Sequence, residues 1–302
     1  MSKFIWIICF VSISVSVTNA GVIDNTDPVM IDLKIPDSSQ VQIITTVGGS
    51  TLIGRIVEIG DGTITFETEL GTQTIPIAKI SEIKEIAASS IRQGKVWFPN
   101  PNTTRLFFGP TGRMLKKGKG YFSDYYLFFP GFAWGLSDNI TLGAGMSLFP
   151  GLGLDRQLFF FTPKIGISAS ENLSLAAGAL ILKIPDWDDW DNGDNSPTVG
   201  IMYGVGTYGT ADASLTGGLG FGFVDSEIAE KPMILFGAEA RAGRRTAFVT
   251  ENWVIPEVEN ILMSYGIRFF GESLSIDLAF ITPFGEDFFF PGVPYIDFVF
   301  NF

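Results

Sequence analysis

The sequence predicts an all-β protein. It is an antiparallel, transmembrane-type β-barrel of about twelve strands, with ten as the alternative count, preceded by a much smaller β domain. Three observations predict it. Hydrophobic residues make up 46% of the 302, and charged residues only 17%, where soluble domains carry about 25%. From about residue 103 onward, apolar residues alternate with small or polar ones in runs of roughly ten, the length of a tilted strand crossing a bilayer. Short and long connections between those runs also alternate.

The composition removes whole classes of function. The apolar content is too high for a disordered chain. One Cys excludes a disulfide scaffold, and the absence of His excludes imidazole catalysis and His-ligated metals. The 28 Phe, 35 Gly and net charge of −12 then have to be explained together.

Residues 1–20 read as a secretory signal peptide. Lys3 supplies the positive start, Phe4 to Val17 the apolar stretch, and Thr18-Asn19-Ala20 a small residue before the expected cut at Gly21. The apolar stretch is shorter than the ~20 residues a spanning helix needs.

Residues 38–88 alternate over short lengths: Val41 and Ile43, Ile64 and Phe66, Ile75 and Ile77. Gly48-Gly49-Ser50, Gly60-Asp61-Gly62 and Leu70-Gly71-Thr72 punctuate them, and Asp61-Gly62 is a hairpin signal. Five short strands here suggest a small barrel. Residues 89–102, with Pro99-Asn100-Pro101-Asn102, read as a linker to the barrel at 103–302.

The clearest barrel strand is the last. Ile296, Phe298, Phe300 and Phe302 fall on one face, and Tyr295, Asp297, Val299 and Asn301 on the other. Residues 274–280 and 261–269 repeat the pattern. The charges inside strands share the polar face: Arg105, Lys164, Glu239, Arg241, Arg268, Asp277 and Asp297. They are candidates for a selectivity path through a lumen or, preferentially, for an ion-pair network, since an unpaired charge in a narrow interior is costly. Tyr121, Tyr125, Trp134 and Trp253 near strand ends suggest interfacial aromatic girdles. Expected turns are 137–139, 170–172, 210–212, 243–245 and 271–273. Longer loops are expected near 109–120, 150–157, 185–197, 225–232, 256–260 and 285–294, with Lys116, Lys117 and Lys119 in the first. The strand at 245–255 fits worst, because Glu251 and Asn252 fall on opposite faces.

The acidic run Asp186, Asp188, Asp189, Asp191 and Asp194 is a candidate for Ca²⁺ through hard oxygen ligands. Its spacing does not complete an EF-hand loop, and the preferred expectation is a solvated loop with no cofactor.

Two resemblances follow from these motifs. Gly48 to Ile59, with its G-x-x-x-x-G-x-I rhythm, followed by Asp61 to Phe66, looks like an Sm-like or SH3-like small β-barrel. Sm-like domains often bind RNA. Here Arg55, Lys79 and Lys84 face Glu58, Asp61, Glu67, Glu69, Glu82 and Glu85, a poor surface for phosphate, so no nucleic acid is expected. The chain end Tyr295 to Phe302 is similar to the C-terminal assembly signal of bacterial outer-membrane barrel proteins. That resemblance implies that Phe298, Phe300 and Phe302 are read by the barrel-assembly machinery. It also implies an outer-membrane location, contact with outer-membrane lipid, and a periplasmic small domain with a periplasmic or cell-wall partner. The expected function is a passive pore for small solutes; the alternative is a non-conducting structural or interaction protein whose side chains fill the lumen. Twelve-stranded barrels also resemble outer-membrane phospholipases, but those use a Ser-His pair and this chain has no His. No enzymatic activity is expected.

Overall fold

The structure is a computed structural model, and it describes residues 33–185, 196–256, 261–284 and 290–302. The signal-peptide reading at 1–20, the acidic run 186–194 and the segments 257–260 and 285–289 lie outside them. The chain divides into two compact units, one ending at Ala88 and the other running from Ser89 to Phe302.

The first unit is a five-stranded antiparallel sheet. Its strands are β1 (Gln40–Thr46), β2 (Thr51–Ile59), β3 (Thr63–Thr68), β4 (Gly71–Pro76) and β5 (Ile80–Ala87), in the order β4-β3-β2-β1-β5. Ile64, Phe66 and Ile75 point into the core as their period predicts, but β1 buries Gln42 and Ile44 rather than Val41 and Ile43. Ile44, Ile56, Ile64, Phe66, Ile75 and Ile80 form its buried core. Gly54 is required by close approach: a Cβ there would sit 2.0 Å from the Glu67 carbonyl oxygen on β3.

The second unit begins with a short hairpin, β6 (Ile91–Arg92) and β7 (Lys95–Val96). Residues 97–119 follow without a strand. Twelve strands then close on themselves. They are β8 (Gly120–Tyr125), β9 (Phe129–Ser137), β10 (Ile140–Met146), β11 (Phe159–Ser168), β12 (Leu173–Lys183), β13 (Thr198–Gly209) and β14 (Ala213–Val224). The short β15 (Glu227–Ile228) folds back to pair with the end of β14, and β16 (Met233–Arg241), β17 (Thr246–Val254), β18 (Ile261–Phe270), β19 (Leu274–Phe284) and β20 (Val293–Asn301) complete the ring. Each barrel strand pairs antiparallel with the next, and β20 pairs with β8, so no edge remains. The turns at one end span 138–139, 169–172, 210–212, 242–245 and 271–273, as expected. The other end carries the short β8–β9 connection and the longer ones; we call the two ends the turn end and the loop end.

The count of twelve agrees with expectation, but the first two strands do not. Residues 103–108 are not a strand, and the expected first loop at 109–120 is not a loop at the loop end. The run between the expected loop at 109–120 and the turn at 137–139, which leaves room for one strand, is instead the hairpin β8–β9. Its two central residues, Tyr126 and Leu127, have φ of 54° and 65°, and Phe128 N donates to Tyr125 O at 3.2 Å. Positive φ at both central positions is the tight-turn geometry that twisted strands favour, and Asn-Gly is its usual sequence signal. Tyr126 and Leu127 give no such signal. Tyr126 is held by packing against Tyr295, with ring centroids 5.4 Å apart, whereas Leu127 is exposed. Leu127→Gly should therefore stabilise the barrel by about 1 kcal/mol, by relieving the left-handed penalty of a side-chain-bearing residue. A higher urea midpoint for refolded protein is the expected readout, and a lower one would show that the Leu127 side chain is itself anchored.

The barrel is polar inside and apolar outside. Phe122, Phe132, Ile165, Leu215, Phe248, Leu278 and Phe300 are exposed on its exterior. Ser123, Thr141, Lys164, Thr216, Glu239, Glu251, Ser264, Arg268, Asp277 and Asp297 are buried on the opposite face. A soluble two-sheet fold would show the same alternation with the apolar face buried. Some expectations for this surface fail. Tyr121, Tyr125 and Trp253 point inward rather than forming girdles, because they share their faces with Ser123, Asp297 and Glu251. Gly204, Gly206 and Gly217 lie on the exterior, alternating with inward Val205, Thr207 and Thr216.

Candidate functional site

The interior is occupied by residues 97–119. Residues 89–102, expected to be a linker, form the β6–β7 hairpin and then lead this segment into the barrel. The expectation that Arg105 sits on a barrel strand is corrected with it. The reason is local: Leu106-Phe107-Phe108 is apolar, but Pro110, Gly109 and Gly112 prevent a continuous ladder. The chain folds back within itself instead, with Leu106 N donating to Gly109 O at 2.8 Å.

Two hydrophobic side chains wedge the segment in place. Leu106 and Phe107 are buried against Ala176, Val205, Leu235, Val249, Ala279 and Tyr295 from strands all round the barrel. The Phe107 and Tyr295 ring centroids are 5.5 Å apart. Each large side chain buried in this way contributes about 1.5–3 kcal/mol.

Polar contacts then fix its register. One oxygen of Glu251 accepts from the backbone N–H groups of Phe107, Phe108 and Gly109 at 2.9, 3.1 and 2.9 Å. The other accepts from Trp253 Nε1 at 2.8 Å. Arg268 is wholly buried. It donates to both oxygens of Asp277 at 2.7 and 2.8 Å, to Glu239 at 2.9 Å, to Asn102 O at 2.6 Å and to Leu106 O. Arg105 pairs with Asp297 and donates to Phe107 O, and its guanidinium lies 4.8 Å from the centre of the Tyr125 ring. Asn100 donates to Glu239. Lys164 Nζ donates to Thr104 O at 3.0 Å and Arg113 O at 2.7 Å. Further along, Gly112 N donates to Thr207 Oγ1 at 2.8 Å. A Cβ on Gly112 would lie 2.2 Å from Ser174 O, so only glycine lets the segment approach the wall there.

The seven charges named from the sequence thus lie inside the barrel, six in one network with the inner segment. Arg105 pairs with Asp297, and Arg268 with Asp277 and Glu239. Lys164 binds carbonyls rather than a carboxylate. Arg241 turns inward at the turn end, where its Nε meets Asp212 at 2.6 Å and a terminal nitrogen meets Phe98 O at 2.7 Å. Arg92 reaches the same Asp212 at 2.5 Å, and Trp97 lies against both arginines. Partial burial acts to raise the Asp212 carboxyl, but Arg92 and Arg241 outweigh it and hold it below the ordinary carboxylate range. Lys116, Lys117 and Lys119, expected in a loop-end loop, are at the turn end, where Lys117 N donates to Asp138 at 3.0 Å.

Sequence reasoning missed Glu251, Asn100, Asn102, Thr207 and Arg113. For Glu251 a signal existed. Its strand fitted the period worst because Glu251 faces inward to the segment while Asn252 faces outward, donating to Phe236 O at 3.2 Å and Thr250 Oγ1 at 3.1 Å. Among the described residues, no group of three or more His, Cys, Asp or Glu is arranged to hold a metal ion.

The inner segment fills the turn half of the lumen. The loop half holds a cavity of about 320 Å³ bordered by the inner segment and by β8, β11, β13 and β17.

No protein-family model and no curated protein matches the chain. Among solved structures it is similar to outer-membrane expressed OmpT of Vibrio cholerae, at 11% identity and TM-score 0.30, covering 87% of this chain and 95% of that one. It is similar to Salmonella typhi OmpF in complex with daunomycin, at 9% identity and TM-score 0.31, covering 87% and 95%. A mutant of the Rh. blastica porin aligns at 11% identity and TM-score 0.32, covering 87% and 97%. Likeness this slight transfers neither residues nor activity, and the barrel assignment stands on the strand pairing itself.

Proposed function

We propose that the chain is a bacterial outer-membrane β-barrel closed by its own inner segment, a non-conducting structural or interaction protein rather than a passive pore. The observation that carries this reading is the anchoring of residues 97–119 in the lumen. Hydrogen bonds to charged groups contribute roughly 1.5–3 kcal/mol each; Glu251 accepts three from the segment, Arg268 donates two to it, and Arg105 of the segment pairs with Asp297 on the wall. A plug held in this way does not leave by thermal fluctuation on the timescale of solute passage.

The membrane reading is supported by the exposed apolar exterior, which in water would be an aggregation surface of a size soluble monomers avoid. It places outer-membrane lipid around the barrel. Phe298 and Phe300 face outward on β20, and Phe302 stacks on Phe132 with centroids 5.8 Å apart. This leaves the terminal aromatics on the outer surface, where the barrel-assembly machinery would read them. The turns at 138–139 to 271–273 would face the periplasm, together with the small sheet domain. For that domain the strand order β4-β3-β2-β1-β5 supports the Sm- or SH3-like reading and a periplasmic or cell-wall partner. The reading assigns no catalytic role and no cofactor.

Planar-bilayer recording of the full-length protein is expected to be silent, while the same preparation shifts its gel migration on boiling. Stepwise currents would overturn the closed lumen. An unshifted band with the protein in the soluble fraction would overturn the membrane reading.

A further inference from the structure

We propose that the cavity in the loop half of the lumen is a binding site for a small aromatic carboxylate. This goes beyond the closed-barrel reading and depends only on the barrel and its inner segment.

Three features of the cavity point to that chemistry. The first is size. At about 320 Å³ it lies at the lower end of small-molecule sites, suited to a ligand of one or two fused rings. The second is the wall. Phe108, Tyr121, Tyr125, Phe160, Tyr203 and Trp253 border it from the inner segment and from four different strands. Aromatic walls on several sides favour a flat ring, which they can meet by stacking or edge-on contact. The third is charge. Among the described residues, its only charged lining residues are Arg105 and Lys164, and no carboxylate lines it.

Lys164 is the group that makes the site anionic in preference. Its ammonium has three N–H donors, and two are used, on the carbonyls of Thr104 and Arg113. No carboxylate pairs with Lys164 among the described residues, in contrast to Arg105 and Arg268. A buried ammonium with neutral partners only is stabilised by an incoming anion, and the third donor gives that anion a directed, charge-assisted hydrogen bond. Because the same ammonium ties Thr104 and Arg113 of the inner segment to β11, a bound carboxylate would sit against the plug.

The test is calorimetric titration of the full-length protein in micelles with sodium 2-naphthoate, after subtraction of protein-free micelles and with folding verified by heat-modifiable migration. Saturable one-site binding is expected. The neutral 2-naphthamide should bind about tenfold more weakly or worse, the loss of one charge-assisted hydrogen bond. Lys164→Met should remove the preference for 2-naphthoate over 2-naphthamide, and Lys164→Arg should retain it. Absence of saturable binding to folded protein overturns the site. Equal binding of acid and amide to the wild-type protein overturns the anion preference, a comparison that holds even where K164M does not fold.

Discussion

Replacing residues 98–116 with a flexible Gly/Ser linker of equal length is expected to turn a silent barrel into a cation-selective channel. The linker keeps the chain connected from the β6–β7 hairpin to β8 but carries none of the side chains that wedge and hydrogen-bond the segment. The side chains of Leu106, Phe107, Arg105 and Arg113 go, and without them nothing holds the linker's backbone amides at Glu251. The lumen wall then retains Glu239, Glu251, Asp277 and Asp297 against Lys164 and Arg268, four carboxylates to two cations, with Arg241 matched by Asp212 at the mouth. A water-filled passage lined by net negative charge favours cations. The reversal potential in asymmetric KCl is the measurement, and it should move toward the cation equilibrium potential as stepwise currents appear. A folded, heat-modifiable variant that stays silent would show that the strand side chains close the lumen unaided. That outcome would assign the inner segment a structural rather than an occluding role.

The second large effect is on stability. Arg268→Met should destabilise the barrel by about 3–5 kcal/mol, because it leaves Asp277 and Glu239 buried together with no cation between them. The geometry makes Arg268 the junction of two systems: two strand carboxylates on one side, and the carbonyls of Asn102 and Leu106 on the other. The penalty comes chiefly from the stranded charges rather than from the lost contacts. The triple variant Arg268→Met, Asp277→Asn, Glu239→Gln should therefore recover most of it. Urea midpoints of the three proteins, refolded in the same detergent, separate the two contributions. A single variant within about 1 kcal/mol of wild type, the range of an exposed ion pair, would mean that the network is more solvated than its burial implies.

These two variants also show how far the sequence carried the reading. Ten of the twelve strands, the five tight turns and the inward position of Lys164, Glu239, Arg268, Asp277 and Asp297 follow from period-two alternation, which is local and survives in a linear string. Arg268 and Asp277 were legible as lumen residues for that reason. Their partnership with Asn102 and Leu106 was not, because those residues lie more than 160 positions away and no periodicity links a strand to an irregular segment. The β8–β9 hairpin escaped for a related reason. Tyr126 and Leu127 take up left-handed backbone without glycine or asparagine, Tyr126 held by its packing on Tyr295, so the usual turn chemistry is absent from the sequence.

Composition and alternation were enough to establish the class of molecule: a charge-poor, Phe-rich chain whose strands each show an apolar and a polar face. They could not say which face is outside, since a buried apolar face and a lipid-facing one produce the same string. Closure of β20 on β8 decides that, by turning every apolar face outward at once. Nor could they say whether the lumen is open. Residues 97–119 read as linker and loop because their backbone makes no ladder. What holds them is a set of carboxylates, hydroxyls and cations brought from β10, β11, β13, β16, β17, β18 and β20 to one point. Burial demands partners for those groups, and only the folded barrel brings the inner segment to supply them.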